Sequence, residues 1–333
     1  MLLSICIPNF NRSRCLNNCL NSILISKENS NIKFEVCISD NCSGENIEKV
    51  VENYSKNLDI KFKKNQKNFG LGKNFLSAVS MAQGDYVWLL GNDDLILPET
   101  LKKMEKLINE NKNLDFFFIN SFNLSSDIVF KSSQPFDTRN LPKNMERFSK
   151  SRQDKIINFF ELIDPKISFD FLLGAYLSVF RRKKWEANID VINKKDLEKE
   201  GTYSTFDNTC PHVKIFSKAF SKSKAYVNSE PLSVNLFGER EWSDLYPFVE
   251  AIRIPQALDC YLKNGMSKKR YFYCKNYSLK NFLPSVIKII LLGKKGGINY
   301  IKFKSNILRN LIYPNFYLSP INFFLRKIFK AIN

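Results

Sequence analysis

The sequence has no uninterrupted apolar run of about 18 residues, the length that predicts a membrane-spanning helix. It has a single histidine, His212, and none of its eight cysteines are spaced as Cys-x-x-Cys, so a zinc site is not expected. The opening residues MLLSICIPNF lack a basic stretch and a small-residue cleavage site, and they predict a first strand rather than a signal peptide. Free thiols in a reducing cytoplasm are therefore expected.

Two glycine-rich phosphate-binding motifs are also missing. Gly70 and Gly72 follow a polar turn, and Phe75 stands where a dinucleotide-binding fingerprint has its third glycine. Asn74 follows Lys73 at the position where a P-loop has serine or threonine. Neither class of nucleotide-binding protein is favoured.

Acidic residues are absent after Asp259. Fifteen of the 51 lysines and arginines follow that residue, whereas the rest of the chain has 36 basic and 33 acidic residues and is nearly neutral. The net charge of +18 is therefore concentrated near the end of the chain, which indicates a change of organisation there.

Short apolar segments alternate with helical patterns in the first third of the chain. The predicted strands are Leu3–Ile7, Phe34–Ser39, Ile60–Phe62, Tyr86–Leu90 and Phe116–Ile119. Their unbroken alternation with helices predicts an α/β fold with a parallel sheet flanked by helices. Further on, Ser121–Arg152 predicts a long irregular connection, and the apolar run Phe171–Phe180 predicts a later strand.

The most informative stretch is Gly84–Pro98, GDYVWLLGNDDLILP. Tyr86–Leu90 predicts a strand buried on both faces, and it runs almost directly into Asp93 and Asp94. Ligands of α/β sheets bind beyond the carboxyl ends of strands, and adjacent carboxylates repel each other unless a cation neutralises them. We therefore expect Mg²⁺ or Mn²⁺ at this pair. Alternatively, Asp94 caps the helix that follows.

Other segments carry recognisable motifs in a fixed order. They are the strand and loop Ser4–Arg12, the strand and turn Val36–Ser43, the turn Asn68–Gly70 followed by Lys73-Asn74, and the acidic segment Val87–Asp94, with Pro98 and Leu101 after it. Together they resemble family 2 glycosyltransferases of the GT-A fold, which is Rossmann-like. The sequence Trp-Leu-Leu-Gly at Trp88–Gly91 most resembles the abequosyltransferase-like branch, which adds sugars during bacterial surface polysaccharide synthesis.

The resemblance implies a metal-dependent, inverting enzyme that moves a sugar from a nucleotide-sugar donor to a glycan or lipid-linked acceptor. It implies a metal on Asp94 and Asp93, and donor contacts from Pro8, Asn9, Phe10, Asn11, Arg12, Asp40, Asn68, Lys73, Gly91, Asn92 and Asp93. Asn9 and Phe10 replace the family's usual threonine and tyrosine, and Gly91 replaces the first aspartate of Asp-x-Asp. Asp40 is alternatively a helix cap, and Lys73 a solvated helix residue.

The group that takes the proton of the acceptor hydroxyl is expected in Thr205–Val213. Asp207 stands ahead of a predicted helix over Pro211–Phe220, and many relatives use an aspartate at the start of a helix. His212 is suited to proton transfer near neutral pH, or it is a third metal ligand. The structural alternatives are an N-cap for Asp207 and a buried imidazole for His212.

From about Lys263 onward, basic residues alternate with bulky apolar ones, as in Phe282–Leu292. Basic amphipathic helices favour an anionic membrane surface over nucleic acid, and ordinary packing on the catalytic domain is the alternative. We expect a GT-A domain over 1–240, with a nucleotide-binding half, 1–122, and an acceptor half, 123–240, followed by a basic helical region, 241–333. No nucleic-acid partner is expected.

We therefore expect a cytoplasmic enzyme held at the inner face of the plasma membrane. A non-catalytic membrane- or nucleic-acid-binding protein on a degenerate GT-A scaffold is the alternative, which Gly91 favours. A nucleotidyltransferase is disfavoured because the N-terminal part has no glycine-rich phosphate loop.

Overall fold

The computed structural model describes residues 2–201, 203–238 and 242–332, in which ten strands form one sheet. The strands are β1 Leu2–Asn9, β2 Lys33–Asp40, β3 Ile60–Lys64, β4 Tyr86–Leu89, β5 Asp94–Ile96, β6 Phe116–Ser125, β7 Glu146–Arg147, β8 Lys155–Asn158, β9 Ser178–Arg181 and β10 Lys224–Phe237. Their order is β3-β2-β1-β4-β9-β6-β10-β5, with β7 on β6 and β8 on β10.

The helices lie on both faces of the sheet. They are α1 Ser13–Lys27, α2 Ile47–Ser55, α3 Leu71–Ser80, α4 Thr100–Glu110, α5 Ser126–Phe130, α6 Arg182–Glu186, α7 Lys194–Leu197, α8 Pro211–Ala219, α9 Tyr246–Phe248, α10 Ile254–Lys263, α11 Lys268–Ser278, α12 Phe282–Leu292, α13 Phe303–Asn306 and α14 Pro314–Ile332.

The first four strands of that order are parallel, which brings the carboxyl ends of β1, β2 and β4 to one edge of the sheet. The register pairs Asn9 with Asp40 at that edge. The sheet then becomes mixed, because β9 runs antiparallel to both β4 and β6. The α/β fold class is confirmed, but the alternation of strand and helix does not continue past α4.

Three local expectations are wrong. Asp94 does not cap a helix: it opens β5, which pairs antiparallel with β10, and Glu99 is the N-cap of α4. The connection predicted over Ser121–Arg152 is partly regular, since it contains the end of β6, α5 and β7. Of the run Phe171–Phe180, only the last three residues belong to a strand, β9, and two 3₁₀ turns take up most of the rest.

Alternating side chains of the strands build a core on each face of the sheet. Leu3, Ile5 and Ile7 of β1 pack with the apolar faces of α1, α2 and α4. Cys6 points to the opposite face, where α3, α8 and the C-terminal helices share one apolar cluster that includes Phe116. The C-terminal helices therefore pack directly on the sheet domain.

The basic region has both packed and exposed faces. Phe282 and Ile289 of α12 are buried in the shared cluster, whereas Leu291 is 80% exposed. Within the described residues, no helix has the length and apolar character needed to span a bilayer. The domain boundary expected between residues 240 and 241 lies outside the described residues, and the division into domains stays a prediction.

Candidate active site

A cavity of about 940 Å³ lies beyond the carboxyl ends of β1 and β4. Pro8 near the end of β1, Arg12 after it and the segment Gly91–Asp94 after β4 line this cavity. Residues of the second half of the chain also line it, including His212 of α8 and Lys288 of α12. Sites for small molecules usually have volumes of about 300–1,000 Å³, so this cavity has room for a large ligand or for two.

The carboxylate of Asp94 is buried and held from two directions. Gly91 N–H donates to its Oδ2 at 3.0 Å, and Asn235 Nδ2 on β10 donates to its Oδ1 at 2.8 Å. A Cβ on residue 91 would lie 2.6 Å from Asp94 Oδ2 and 3.0 Å from Asp93 Oδ1. Both carboxylates therefore converge on the space that the missing side chain of Gly91 leaves open.

Arg12 places a positive charge beside this acidic pair. Its Nη1 lies 3.2 Å from Asp93 Oδ2. Asn11 and Arg12 have φ values of 52° and 62°, a left-handed conformation that is uncommon outside glycine. Glu45 holds the turn, because its carboxylate accepts hydrogen bonds from Arg12 N at 3.0 Å and Ser13 N at 2.6 Å. This turn sets the guanidinium against the acidic pair.

A row of buried hydrogen bonds connects the three neighbouring strand ends. Asn9 Nδ2 donates to Asp40 Oδ1 at 2.8 Å, and Asn92 Nδ2 donates to Asn9 Oδ1 at 2.7 Å. Ser43 N donates to Asp40 Oδ2 at 3.0 Å. A side-chain amide has its donor and its acceptor on separate atoms, so Asn9 spans both neighbours. This explains why asparagine suits the position where the family usually has threonine.

Several of the expected donor-binding residues do not line the cavity. The carboxylate of Asp40 is fully buried and bonded to Asn9 and Ser43, so in this structure it has no surface with which to contact a nucleotide base. It also caps no helix, because Asn46 is the N-cap of α2. Phe10 is partly exposed and lies outside the cavity lining.

The loop residues Asn11 and Asn68 and the helix residue Lys73 make local contacts instead. Asn11 Oδ1 accepts from Gly44 N at 3.0 Å, and Asn68 Oδ1 accepts from Gly70 N at 2.8 Å. Lys73 Nζ lies 3.3 Å from Glu198 Oε1. The structure thus gathers Pro8, Arg12 and residues 91–94 at the cavity and places these three residues outside its lining.

The two candidate proton acceptors have different surroundings. Asp207 does not line the cavity, and its Oδ2 pairs with Lys214 Nζ at 2.7 Å. Burial raises the pKa of Asp207, and the Lys214 ammonium opposes that rise. Asp207 is not the N-cap of α8 either, since Cys210 has that position. We therefore do not retain Asp207 as a base.

His212 lines the cavity and is almost fully buried. Its ring centroid lies 6.1 Å from that of Phe75 and 5.7 Å from that of Phe216. Neither ring nitrogen makes a hydrogen bond within the described residues. Burial lowers the pKa of His212 to about 4, which the nearby backbone of Leu173 only weakly opposes. The imidazole is therefore neutral at physiological pH.

The acidic pair fits a hard divalent cation bound with few protein ligands. No cluster of three or more His, Cys, Asp or Glu side chains suited to a metal occurs in the described part of the chain. His212 is thus not joined to Asp93 and Asp94 as a third ligand. Mg²⁺ is often held by one or two carboxylates, with water and substrate phosphate completing its shell. Two converging carboxylates at the open Gly91 position match that pattern.

Two parts of the site have little or no local signal in the sequence. Asn235, which fixes Asp94, is 141 residues away in the chain, and no local pattern marks it. An aromatic wall formed by Tyr203, Trp242 and Tyr246 also lines the cavity. A tryptophan and a tyrosine close together after β10 are its only sequence signal.

Comparison with solved structures defines the class of fold. The crystal structure of TarS 1–349 from Staphylococcus aureus in complex with UDP-GlcNAc aligns with a TM-score of 0.56 at 18% identity, over 96% of this chain and 79% of that chain. The mannosyltransferase PcManGT from Pyrobaculum calidifontis, in complex with GDP-Man and Mn²⁺, aligns with a TM-score of 0.52 at 11% identity, over 97% and 84%. The fold is that of the GT-A glycosyltransferases.

Sequence comparison then gives the family. Residues 4–162 match the family model for glycosyl transferase family 2. The abequosyltransferase RfbV of Salmonella typhimurium is 28% identical over 298 residues, which cover 86% of this chain and 80% of the relative. The poly(ribitol-phosphate) beta-N-acetylglucosaminyltransferase TarS is 28% identical over 146 residues, 44% of this chain and 23% of the relative. The chain is a glycosyltransferase whose residues 4–162 match family 2, as the motifs there predicted.

Proposed function

We propose that this glycosyltransferase transfers a sugar from a nucleotide donor to a glycan or lipid-linked acceptor, with inversion, during synthesis of a bacterial surface polysaccharide. The observation that carries the proposal is the acidic pair beside Gly91, which lies in the cavity next to the Arg12 guanidinium. The complexes of relatives with UDP-GlcNAc and with GDP-Man and Mn²⁺ support the class of donor. The name of the relative RfbV supports the sugar-transfer activity.

Asp94 and Asp93 would hold Mg²⁺ or Mn²⁺. The bound cation supplies positive charge that stabilises the departing diphosphate. Arg12 is the protein's own cation at this position, and it binds phosphate oxygens once a ligand competes with Asp93. Asp40 acts indirectly, because its bonds to Asn9 and Ser43 fix the loop that carries Arg12 and the amide that holds Asn92.

His212 is the proposed proton acceptor. The acceptor hydroxyl oxygen bonds to the anomeric carbon of the donor sugar while the bond from that carbon to the diphosphate oxygen breaks. The hydroxyl proton moves to a ring nitrogen of neutral His212, and the nucleoside diphosphate leaves. Burial keeps the imidazole unprotonated before the reaction.

The proposal is tested by release of nucleoside diphosphate from UDP-, GDP-, CDP- and dTDP-hexoses in the presence of Mn²⁺. We expect slow hydrolysis of one donor class by the wild type and its loss in Asp94→Asn, because the variant removes one negative charge from the pair. Asp85→Asn is the matched control, since Asp85 is exposed at the opposite end of β4. Equal rates for the wild type and Asp94→Asn would contradict the proposed role.

The C-terminal helices support peripheral attachment to an anionic membrane on the cytoplasmic side. Within the described residues, every large apolar side chain that is more than half exposed belongs to this region: Ile287, Ile290, Leu291, Phe303, Ile312, Tyr317, Ile321 and Phe324. Lysines are interspersed with them, and no acidic residue follows Asp259. Such a surface combines apolar insertion with attraction to anionic lipids.

Flotation with vesicles containing phosphatidylglycerol tests this attachment. We expect the wild type to float with the vesicles and the double variant Ile290→Ser, Leu291→Ser to float several-fold less. Ile156→Ser is the matched control, since Ile156 is 49% exposed on β8, away from the C-terminal helices. If single-stranded RNA abolishes vesicle binding and the double variant floats as well as the wild type, nucleic acid is favoured as the partner instead.

A further inference from the structure

Part of the cavity wall is aromatic. Tyr203, Trp242 and Tyr246 line it, and their rings contact one another in sequence. The ring centroids of Tyr203 and Trp242 are 5.5 Å apart, and those of Trp242 and Tyr246 are 4.7 Å apart. Tyr246 is 48% exposed, whereas Tyr203 is 7% exposed, so Tyr246 presents most of the accessible ring surface of these two tyrosines. We call these three residues the aromatic platform.

The platform is fixed in place. Tyr203 has a φ of 64°, and a bulky residue in that conformation is held by its surroundings. Its backbone carbonyl accepts a hydrogen bond from Nη2 of Arg253, which is itself buried. The Arg253 guanidinium lies 4.7 Å from the centre of the Phe248 ring. Strained backbone at a cavity points to function, and a rigid surface loses little conformational entropy when a ligand binds.

Polar groups accompany the aromatic rings on this wall. Asp244 and Glu250 line the same cavity. Glu250 is positioned by α12 and the residue before it, since its Oε2 accepts from Ser285 Oγ at 2.8 Å and its Oε1 accepts from Asn281 Nδ2. Flat apolar faces next to carboxylates match a sugar ring, which has an apolar C–H face and hydroxyl groups around its edge. The negative face of an aromatic ring attracts such C–H groups.

The position of the platform favours the acceptor over the donor. The donor side is built by the strand ends and the acidic pair, all inside residues 4–162 that match the family. The platform comes entirely from residues beyond that match. We propose that Tyr203, Trp242 and Tyr246 bind a pyranose ring of the acceptor, with Glu250 and Asp244 accepting hydrogen bonds from its hydroxyls. This inference rests on the proposed function and assigns its acceptor subsite to Tyr203, between α7 and α8, and to the segment after β10.

Intrinsic fluorescence tests the platform directly, because two of the three tryptophans, Trp88 and Trp185, are 0% and 1% exposed and only Trp242 lines the cavity. The full chain is titrated with methyl glycosides of mannose, galactose, glucose and rhamnose in the presence of nucleoside diphosphate and Mn²⁺. We expect a saturable change in emission with at least one glycoside and none in Trp242→Phe. Saturation-transfer NMR shows whether the Phe variant still binds that glycoside.

Tyr246→Ala is expected to weaken glycoside binding about tenfold, which is the effect of removing one aromatic contact. Tyr273→Ala is the matched control, because Tyr273 is 45% exposed on α11 and does not line the cavity. Equal affinities in the two variants, or no saturable response to any glycoside, would overturn the proposal. So would a response to nucleotide alone, which would assign the rings to the donor base. Calorimetric binding of the nucleotide reports separately on the proposed function.

Discussion

Gly91→Ala probes the acidic pair without removing a charge. Gly91 is not among the glycines with positive φ, so alanine adopts the same backbone without strain. Its methyl group, however, would lie 2.6 Å from Asp94 Oδ2, the oxygen that accepts the residue 91 N–H at 3.0 Å. The carboxylate must therefore rotate away, which breaks that bond or the one from Asn235.

The size of the effect follows from these contacts. A hydrogen bond to a charged group contributes about 1.5–3 kcal/mol, and replacing glycine by alanine returns about 0.4–1 kcal/mol through the unfolded state. The free energy of unfolding should fall by about 1–2 kcal/mol, which leaves the protein folded. We expect Mn²⁺-dependent nucleotide affinity to fall by about tenfold or more, because Asp94 Oδ2 is displaced from its fixed position.

Isothermal titration calorimetry with Mn²⁺, together with urea unfolding, measures both quantities. Gly44→Ala is the matched control, since no atom lies within 4 Å of its added Cβ and the Gly44 N–H still reaches Asn11. We expect the control to match the wild type in both measurements. Wild-type metal-dependent affinity in Gly91→Ala would refute the argument that the missing side chain makes room for the two carboxylates.

Two further predictions concern buried polar groups. Asn9→Thr restores the family's usual residue, but the threonine side chain cannot bond both Asp40 and Asn92. Urea unfolding should show that the free energy of unfolding falls by about 1–3 kcal/mol, and an unchanged free energy would contradict the role of Asn9. Burial lowers the pKa of His212 to about 4 in the folded state, whereas the unfolded value is about 6.5. The unfolded state therefore binds a proton before the folded state does, so the free energy of unfolding is highest above pH 6.5 and falls as the pH falls towards 4. Between pH 7 and about pH 4.5, the wild type should lose about 2–3 kcal/mol more than His212→Gln, and equal losses would show that the imidazole is not desolvated.

The parts of the fold that the sequence predicts correctly are those set by local pattern. The apolar strands β1, β2 and β4 end in polar residues, and parallel pairing necessarily brings those ends together, so Arg12, Asp93 and Asp94 could be placed at one edge of the sheet. β5 was missed because it is only three residues long and depends on pairing with distant β10.

Long-range contacts decide the rest of the site. Asp207 has the expected position before a helix, but Lys214, one turn into that helix, pairs with it and it does not reach the cavity. Asp40 has the expected position at a strand end, yet Asn9 and Ser43 take up its oxygens. Neither outcome follows from spacing along the chain, because each depends on which side chain the packing brings within reach. The aromatic platform likewise depends on a long-range contact, which brings Tyr203 next to Trp242 after β10.

Metal-dependent binding of the donor nucleotide at Asp94 is measured by calorimetry of the wild type and Asp94→Asn with UDP, GDP, CDP and dTDP, each with Mn²⁺ and with a chelator. We expect the wild type to bind one nucleotide with Mn²⁺ present and chelation to weaken this binding at least about tenfold, whereas Asp94→Asn should bind weakly under both conditions. Equal nucleotide affinity in the wild type and the variant, with and without Mn²⁺, would contradict a metal-assisted transferase.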